Sequence, residues 1–393
     1  MKTFSARIFT LLGIALLVMA IVCSMAACGD SGDPAGGLTG GSNGGNNPNN
    51  PNAPNNPNNP NTPNNPNNPS STVWTVVEGN FSALLYEPFT IDYCNGKFIA
   101  GGAYGSMAHS TNGIAWTPVA DSKFSKTTTL SDQENVLKIA WGNGKFVAVA
   151  TNGAMAYSSD CITWAAVANS TFGIGLFSSI RSIVYGNDTF VAVGNMGKMA
   201  ASPDGVTWTA VTNNTFGSTQ IRAIAWGDGK FVAGSSGSAG NNNKMAYSSD
   251  GVNWTAVSDS TFGENETNAI VYGNGKFVAV GYSRIAYSSD GITWTAAAVN
   301  PFSYSYTILD SEWDVSDSAA ADIRGVAYGN GKFVAVSFSG KTAVSSDGST
   351  WTVTADSVFE GEYYYNAIKG MAYGNNKFVV VNGHGQFAYW DGN

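Results

Sequence analysis

The sequence predicts an all-β fold: a seven-bladed β-propeller of four-stranded antiparallel blades, closed by an N-terminal strand that completes the last blade. Three observations predict it. A turn motif of the Asn-Gly-Lys-Phe kind recurs seven times. A second motif, close to Ser-Asp-Gly-x-Thr-Trp, alternates with it. The repeat region also starts with one strand of a repeat and stops where that same strand is due.

The first motif stands at Asn95-Gly96-Lys97-Phe98, Asn143-Gly144-Lys145-Phe146, Asn187-Asp188-Thr189-Phe190 and Asp228-Gly229-Lys230-Phe231. It returns at Asn274-Gly275-Lys276-Phe277, Asn330-Gly331-Lys332-Phe333 and Asn375-Asn376-Lys377-Phe378. Asn-Gly favours a two-residue hairpin turn because both residues accept positive φ. A short strand such as Ile183-Val184-Tyr185 precedes each turn, and an apolar run such as Phe277-Val278-Ala279-Val280 follows it. These are the inner and second strands of a blade. The third resembles Met155-Ala156-Tyr157, and the outer strand carries the Trp.

Six complete copies of the second motif end at Trp116, Trp164, Trp208, Trp254, Trp294 and Trp351. The seventh Trp is Trp74, in Val73-Trp74-Thr75-Val76-Val77, ahead of the first full repeat. The last repeat reaches Tyr389-Trp390-Asp391-Gly392-Asn393, where its outer strand is due. A circle accounts for this arrangement, and an open array does not. Successive Trp positions lie 40–57 residues apart, too long for one rung of a β-solenoid and suited to a four-stranded blade. Each connection between blades also carries one Phe (Phe81, Phe124, Phe172, Phe216, Phe262, Phe302 and Phe359), expected to pack between blades.

Residues 1–28 read as an export signal. Lys2 and Arg7 precede an apolar run from Ile8 to Val22, and Ser24-Met25-Ala26-Ala27-Cys28 follows. A positive start, a short apolar run and small residues before a cut site describe a secretory signal. Residues 29–71 read as a Gly/Asn/Pro-rich linker, with Pro at every third position from Pro48 to Pro69. Such a segment buries no core. In polyproline II geometry residues 46–69 span roughly 70 Å, at about 3.1 Å per residue. Residues 72–393 are the propeller.

Composition agrees with this division. Charged residues are 12% of the chain and Gly numbers 47, with 12% aromatic, a turn-rich β composition. The net charge of -8 excludes the basic stripe of a nucleic-acid-binding protein. Four cysteines and two histidines, with no CxxC pair, make neither a disulfide scaffold nor a metal centre, and no cofactor is expected. Cys94 and Cys161 either bridge or stand in for turn residues.

Two resemblances follow. The small residues before Cys28 resemble the lipobox of bacterial lipoproteins, with Met25 a less usual residue at its first position. The resemblance implies acylation of Cys28 and anchoring to the cell envelope; the alternative is an ordinary cleaved signal. The Ser-x-Asp-Gly-x-Thr-Trp turns resemble the Asp-box repeats of sialidase-like propellers over most of residues 72–393. Asp204, Asp250, Asp290 and Asp347 match the box Asp. Asn112 replaces it in the first blade, and one residue is missing between Asp and Trp. The family's boxes are structural turns on the face opposite the site. The chemistry agrees, since Ser and Asp satisfy the backbone of a tight turn.

A ligand site is therefore expected on the face that carries the connections between blades. Basic residues recur there four places before the inner-strand aromatic: Arg181, Arg222, Arg324 and Lys369. Equivalent positions around a ring bring them to the channel mouth, where they either grip a carboxylate, sulfate or phosphate or pair with acids such as Asp322. The longest connection adds Tyr304, Tyr306 and Trp313 beside carboxylates, and the next adds Tyr363 and Tyr365. Aromatic residues on exposed loops suit sugar or peptide binding; the alternative is that they pack the loops. No nucleophile elbow or phosphate loop occurs. The function expected is a membrane-tethered, exported binding module that presents this face to a carbohydrate or protein ligand. The alternatives are a sialidase-like glycoside hydrolase using the arginine cluster, which the resemblance suggests, and a scaffold within an envelope complex.

Overall fold

Each repeat folds as the turn chemistry dictates. In the second blade, strands Val136–Gly142 and Lys145–Ala150 flank the Asn143-Gly144 turn. Both turn residues have positive φ, 44° and 72°, as a type I′ hairpin requires. Met155–Ser158 and Ala165–Ala166 complete the sheet. The computed structural model describes residues 73–77, 87–126, 132–175, 177–237, 244–302, 322–355, 358–359 and 367–392. Cys28, the linker, Phe81, Tyr304, Tyr306, Trp313, Tyr363 and Tyr365 lie outside the described residues. Seven four-stranded antiparallel sheets are present.

The second strand explains its own composition. After its first residue, Lys145–Ala150 is buried at every position, because sheets cover it on both faces. A strand covered on both faces reads as an unbroken apolar run rather than an alternating one. The core is accordingly a set of layers between blades. One layer packs Ala140, Val147, Val149 and Met155 of the second blade against Phe172, Ile180, Ile183 and Phe190 of the third. The connection residues Phe124, Phe172, Phe216, Phe262, Phe302 and Phe359 are all buried in such layers.

The ring closes as the repeat count predicts. Thr75–Val76 pairs antiparallel with Phe387–Trp390, Thr75 opposite Tyr389 and Val76 opposite Ala388. The Val77 N–H donates to the Phe387 carbonyl at 2.8 Å, and Val119 donates to Met107 at 2.8 Å in the first blade. Thr75 thus holds the place that Thr117 holds opposite His109. His109 itself occupies the Tyr position of the third strand, opposite Ile99 as Tyr157 is opposite Val147.

The face that carries both turn motifs is stitched together. In the boxes, Asp160 Oδ1 accepts from the N–H groups of Ile162 and Thr163 at 2.8 Å and from Ser158 Oγ at 2.9 Å. Asn112 does the same work in the first blade, accepting from Ile114 and Ala115 at 2.9 Å. The first motif reaches across to the next blade. Asn143 Nδ2 donates to the Pro203 carbonyl, Asn187 to Ser249, Asn274 to Ser346 and Asn330 to Gly392, at 3.0–3.3 Å. Asn375 completes the circle by donating to Thr111 at 3.3 Å.

Cys94 and Cys161 are both free thiols, so the second reading, replacement of turn residues, describes them. Cys94 stands where the second blade has Gly142, and Cys161 where the third has Gly205. Cys161 holds the positive φ of that position, 64°. Burial pushes both thiols above their ordinary pKa. No helix among the described residues is long and apolar enough to cross a membrane.

Candidate functional site

The inner strands enter from the connection face, and each breaks register at the same place. Ile180 pairs with Gly194 and Ser182 with Val193, so Arg181 falls out of the ladder as a bulge. The same irregularity sets Phe89, Leu137, Arg222, Asn268, Arg324 and Lys369 apart in the other six blades. A bulge re-aims the side chain it frees. All seven line one cavity of about 190 Å³ at the channel mouth. The structure thus brings Arg181, Arg222, Arg324 and Lys369 together, and adds Lys138.

Their partners differ. Arg222 pairs with Glu266 of the next blade. Arg324 Nη2 lies 2.6 Å from Asp322 Oδ2, and Asp322 also accepts from Asn268 Nδ2 at 3.0 Å. Lys138 Nζ lies 2.6 Å from Asp92 Oδ1. Asp92 Oδ2 accepts from Thr90 Oγ1 at 2.9 Å and from the Ile139 N–H at 3.0 Å, tying the first blade to the second.

Arg181 and Lys369 have no carboxylate within ion-pair distance among the described residues. Arg181 Nε donates to Asn195 Oδ1 at 3.0 Å. The Gln220 amide, turned oxygen-first, accepts from Nε and Nη2 at 2.7 and 3.0 Å. Both partners are neutral. Burial, and then the like charge of Arg222, push the Arg181 pKa below its ordinary value. Burial also lowers Lys369, against the attraction of Glu87 and with the repulsion of Arg324. The Lys369 ammonium lies 5.9 Å from the centre of the Phe89 ring.

Chemically this is a cation-rich mouth of limited size. A cavity of about 190 Å³ is smaller than the roughly 300–1,000 Å³ of sites that enclose a whole drug-sized ligand. It suits a carboxylate, sulfate or phosphate group at the end of something larger. No group of three or more His, Cys, Asp or Glu side chains among the described residues is placed to hold a metal ion.

Two features escaped the sequence reading. Lys138 stands one place after the ring position, so a search four places before the aromatic passes over it. The second is a connection of unusual content. Between Phe172 and Ile180 the chain reads Gly-Ile-Gly-Leu-Phe-Ser-Ser, where Phe216 and Ile221 enclose only Gly-Ser-Thr-Gln. Ile174 is 88% exposed and Phe177 70%. The signal is one of composition, since the length of this connection lies within the range of the others.

Comparison with known proteins places the architecture. No family model matches the chain, and no curated protein matches it. Solved structures do. YCF48 from Cyanidioschyzon merolae is 15% identical, covering 81% of this chain and 98% of its own, with a TM-score of 0.55. A structure described as YCF48 bound to D1 peptide is 13% identical over 81% of this chain and 94% of its own, with a TM-score of 0.56. Virginiamycin B lyase from Staphylococcus aureus is 10% identical over 80% of this chain and 98% of its own, with a TM-score of 0.59. The chain shares their propeller fold. At these identities the likeness is one of fold.

Proposed function

We propose that this protein is an exported binding module, acylated at Cys28, held off the membrane by its Pro/Asn linker, and presenting the connection face of the propeller to a protein or carbohydrate ligand. One observation carries the reading: seven bulges aim their side chains into one mouth, and two of the cations gathered there have no carboxylate partner among the described residues. An incoming anionic group supplies that partner. The opposite face is unsuited, since its polar groups are engaged in box turns and bonds between blades.

Peptide is the better-supported ligand class. A structure of similar fold, YCF48, is described as bound to a peptide. Pairing of Arg222 with Glu266 and of Arg324 with Asp322 weighs against the glycoside-hydrolase alternative, which needs those guanidinium groups for a substrate carboxylate. Tyr304, Tyr306, Trp313, Tyr363 and Tyr365 belong to connections of the same face and are proposed to widen the contact.

The test is a screen of the purified protein on glycan and peptide arrays, repeated with Arg181→Gln/Lys369→Gln and with Trp313→Ala. Loss of at least tenfold in affinity for the best ligand with the double variant is expected. Unchanged binding by both variants overturns the site. Anchoring is tested separately: Cys28→Ala moves the protein from the membrane to the soluble fraction, and retention in the membrane fraction overturns acylation.

A further inference from the structure

The described residues of the connection between the second and third blades combine exposed apolar side chains with a hydrogen-bonded backbone. Its two ends are held like those of the polar connections: Lys198 Nζ donates to the Phe172 carbonyl at 2.6 Å, as Lys244 donates to Phe216 at 3.2 Å. The part between is pinned as well. The Gly175 N–H donates to Asn152 Oδ1 of the neighbouring blade. The Ser178 N–H donates to the Gly175 carbonyl at 2.9 Å, closing a turn, and Asn195 N–H bonds the Ser179 carbonyl at 2.9 Å. Ser178 and Ser179 are both 5% exposed. Between these fixed points stand Ile174 and Phe177, among the most exposed large apolar side chains of the described residues. The two four-residue connections read Gly-Ser-Thr-Gln and Gly-Glu-Asn-Glu. Exposed apolar side chains on a backbone held at both ends, where the two shortest connections are polar, mark a contact surface.

Charge fixes what it contacts. Phe177 and Arg181 are four residues apart, so their Cα atoms are at most about 14 Å apart. Arg181 is held by neutral amides and has a like-charged neighbour, Arg222, itself paired. At the other end Ile174 forms a wall of a cleft of about 380 Å³ with Asn152, Asn169, Lys123 and Glu134. There Lys123 is paired with Asp121 and the Lys198 ammonium is engaged by the Phe172 carbonyl, which leaves Glu134 to repel an anion. The negative end of a ligand therefore belongs at Arg181 and its uncharged end at the cleft.

We infer that this connection and Arg181 form a docking site for an extended peptide that carries a large apolar side chain within about four residues of a carboxylate. The inference rests on the connection face being the binding face, and it narrows the ligand to one class at one blade junction. A peptide is favoured over an anionic membrane because a membrane is a wide surface that also meets the acids of this face, among them Glu134, Glu266 and Asp322. A short peptide feels mainly charges within a Debye length of about 8 Å.

The experiment is selection of displayed random heptapeptides on the immobilised full chain carrying Cys28→Ala, with affinities of enriched peptides measured by fluorescence anisotropy. Expected peptides carry Asp or Glu within four positions of a large apolar residue. Ile174→Ser/Phe177→Ser and Arg181→Gln each weaken them at least tenfold, with melting curves unchanged for the exposed pair. Peptides weakened only by Arg324→Gln or Lys369→Gln overturn this inference and leave the broader binding reading standing. Peptides indifferent to all four variants overturn both. Absence of enrichment overturns the peptide assignment. Two further controls can do the same: sedimentation with phosphatidylglycerol vesicles that is lost in the Ile174→Ser/Phe177→Ser variant assigns the connection to a membrane. A dimer in sedimentation velocity lost in that variant assigns it to a second copy.

Discussion

Asp160 is a carboxylate placed for its hydrogen bonds. The N–H groups of Thr163 and Ile162, with Ser158, pull its pKa from 3.8 to about 2. Asp204 and Asp347 are held low in the same way, by Thr207 and Thr350 first. A carboxyl depressed by folding contributes stability that is complete above the unfolded value and is lost as pH falls through the folded one. Stability is therefore expected to decline between about pH 4 and pH 2, measured by thermal melting across that range. Asp160→Asn keeps the acceptor geometry, as Asn112 does, costs about 1 kcal/mol at neutral pH, and flattens the acid decline. A steeper decline in that variant contradicts the assignment. Gly186 tests packing at the same scale. A Cβ there would meet the Trp226 ring at 2.1 Å. Gly186→Ala is expected to lose about 1–3 kcal/mol in urea denaturation; a neutral result means that the blades are packed more loosely than described. Cys94 shows that the equivalent position of the first blade accommodates a side chain, which packs with Trp141 against the same buried cluster.

Elements were legible in proportion to how strictly the backbone chose their residues. Asn-Gly turns, Lys-Phe-Val-Ala-Val second strands and Asp boxes were read directly, because positive φ, burial on both faces and turn hydrogen bonds each admit few side chains. Bulges were not legible. The freed position holds Phe, Leu, Arg, Asn or Lys in different blades, since its side chain points into a cavity rather than into the repeating core. Its basic members were found by their spacing and Asp322 by its nearness to Arg324 in the chain, whereas Glu266 was not found, because it comes from a connection whose path no repeat constrains. Trp74 is the element-scale test of the closing strand. Its ring lies 6.1 Å from that of Trp390, and its indole N–H has no partner among the described residues. In the complete boxes that N–H donates to the turn carbonyl, as Trp164 does to Cys161 at 3.1 Å. Trp74→Ala is expected to cost about 2 kcal/mol in urea denaturation, below the roughly 3–5 kcal/mol of a fully buried Trp. No loss at all shows that the closing strand contributes nothing.

For the molecule as a whole, counting turns and Trp residues was enough to predict seven blades and closure, because both are properties of the repeat. The face assignment followed from strand order alone. The connections are where each blade departs from the others, and the proposed binding face is built from them. The closing strand gives the ring a mechanical weak point. Two ladder pairs and the bond from Val77 hold it to the last blade, and the chain that enters it arrives directly from the linker. Under the anchoring proposed at Cys28, tension along the chain before Val73 loads that clasp, with the Trp74–Trp390 contact, before the rest of the propeller. A strong pull on a captured partner would unfasten the wheel at its seam, leaving six blades with all their strands and one blade with three.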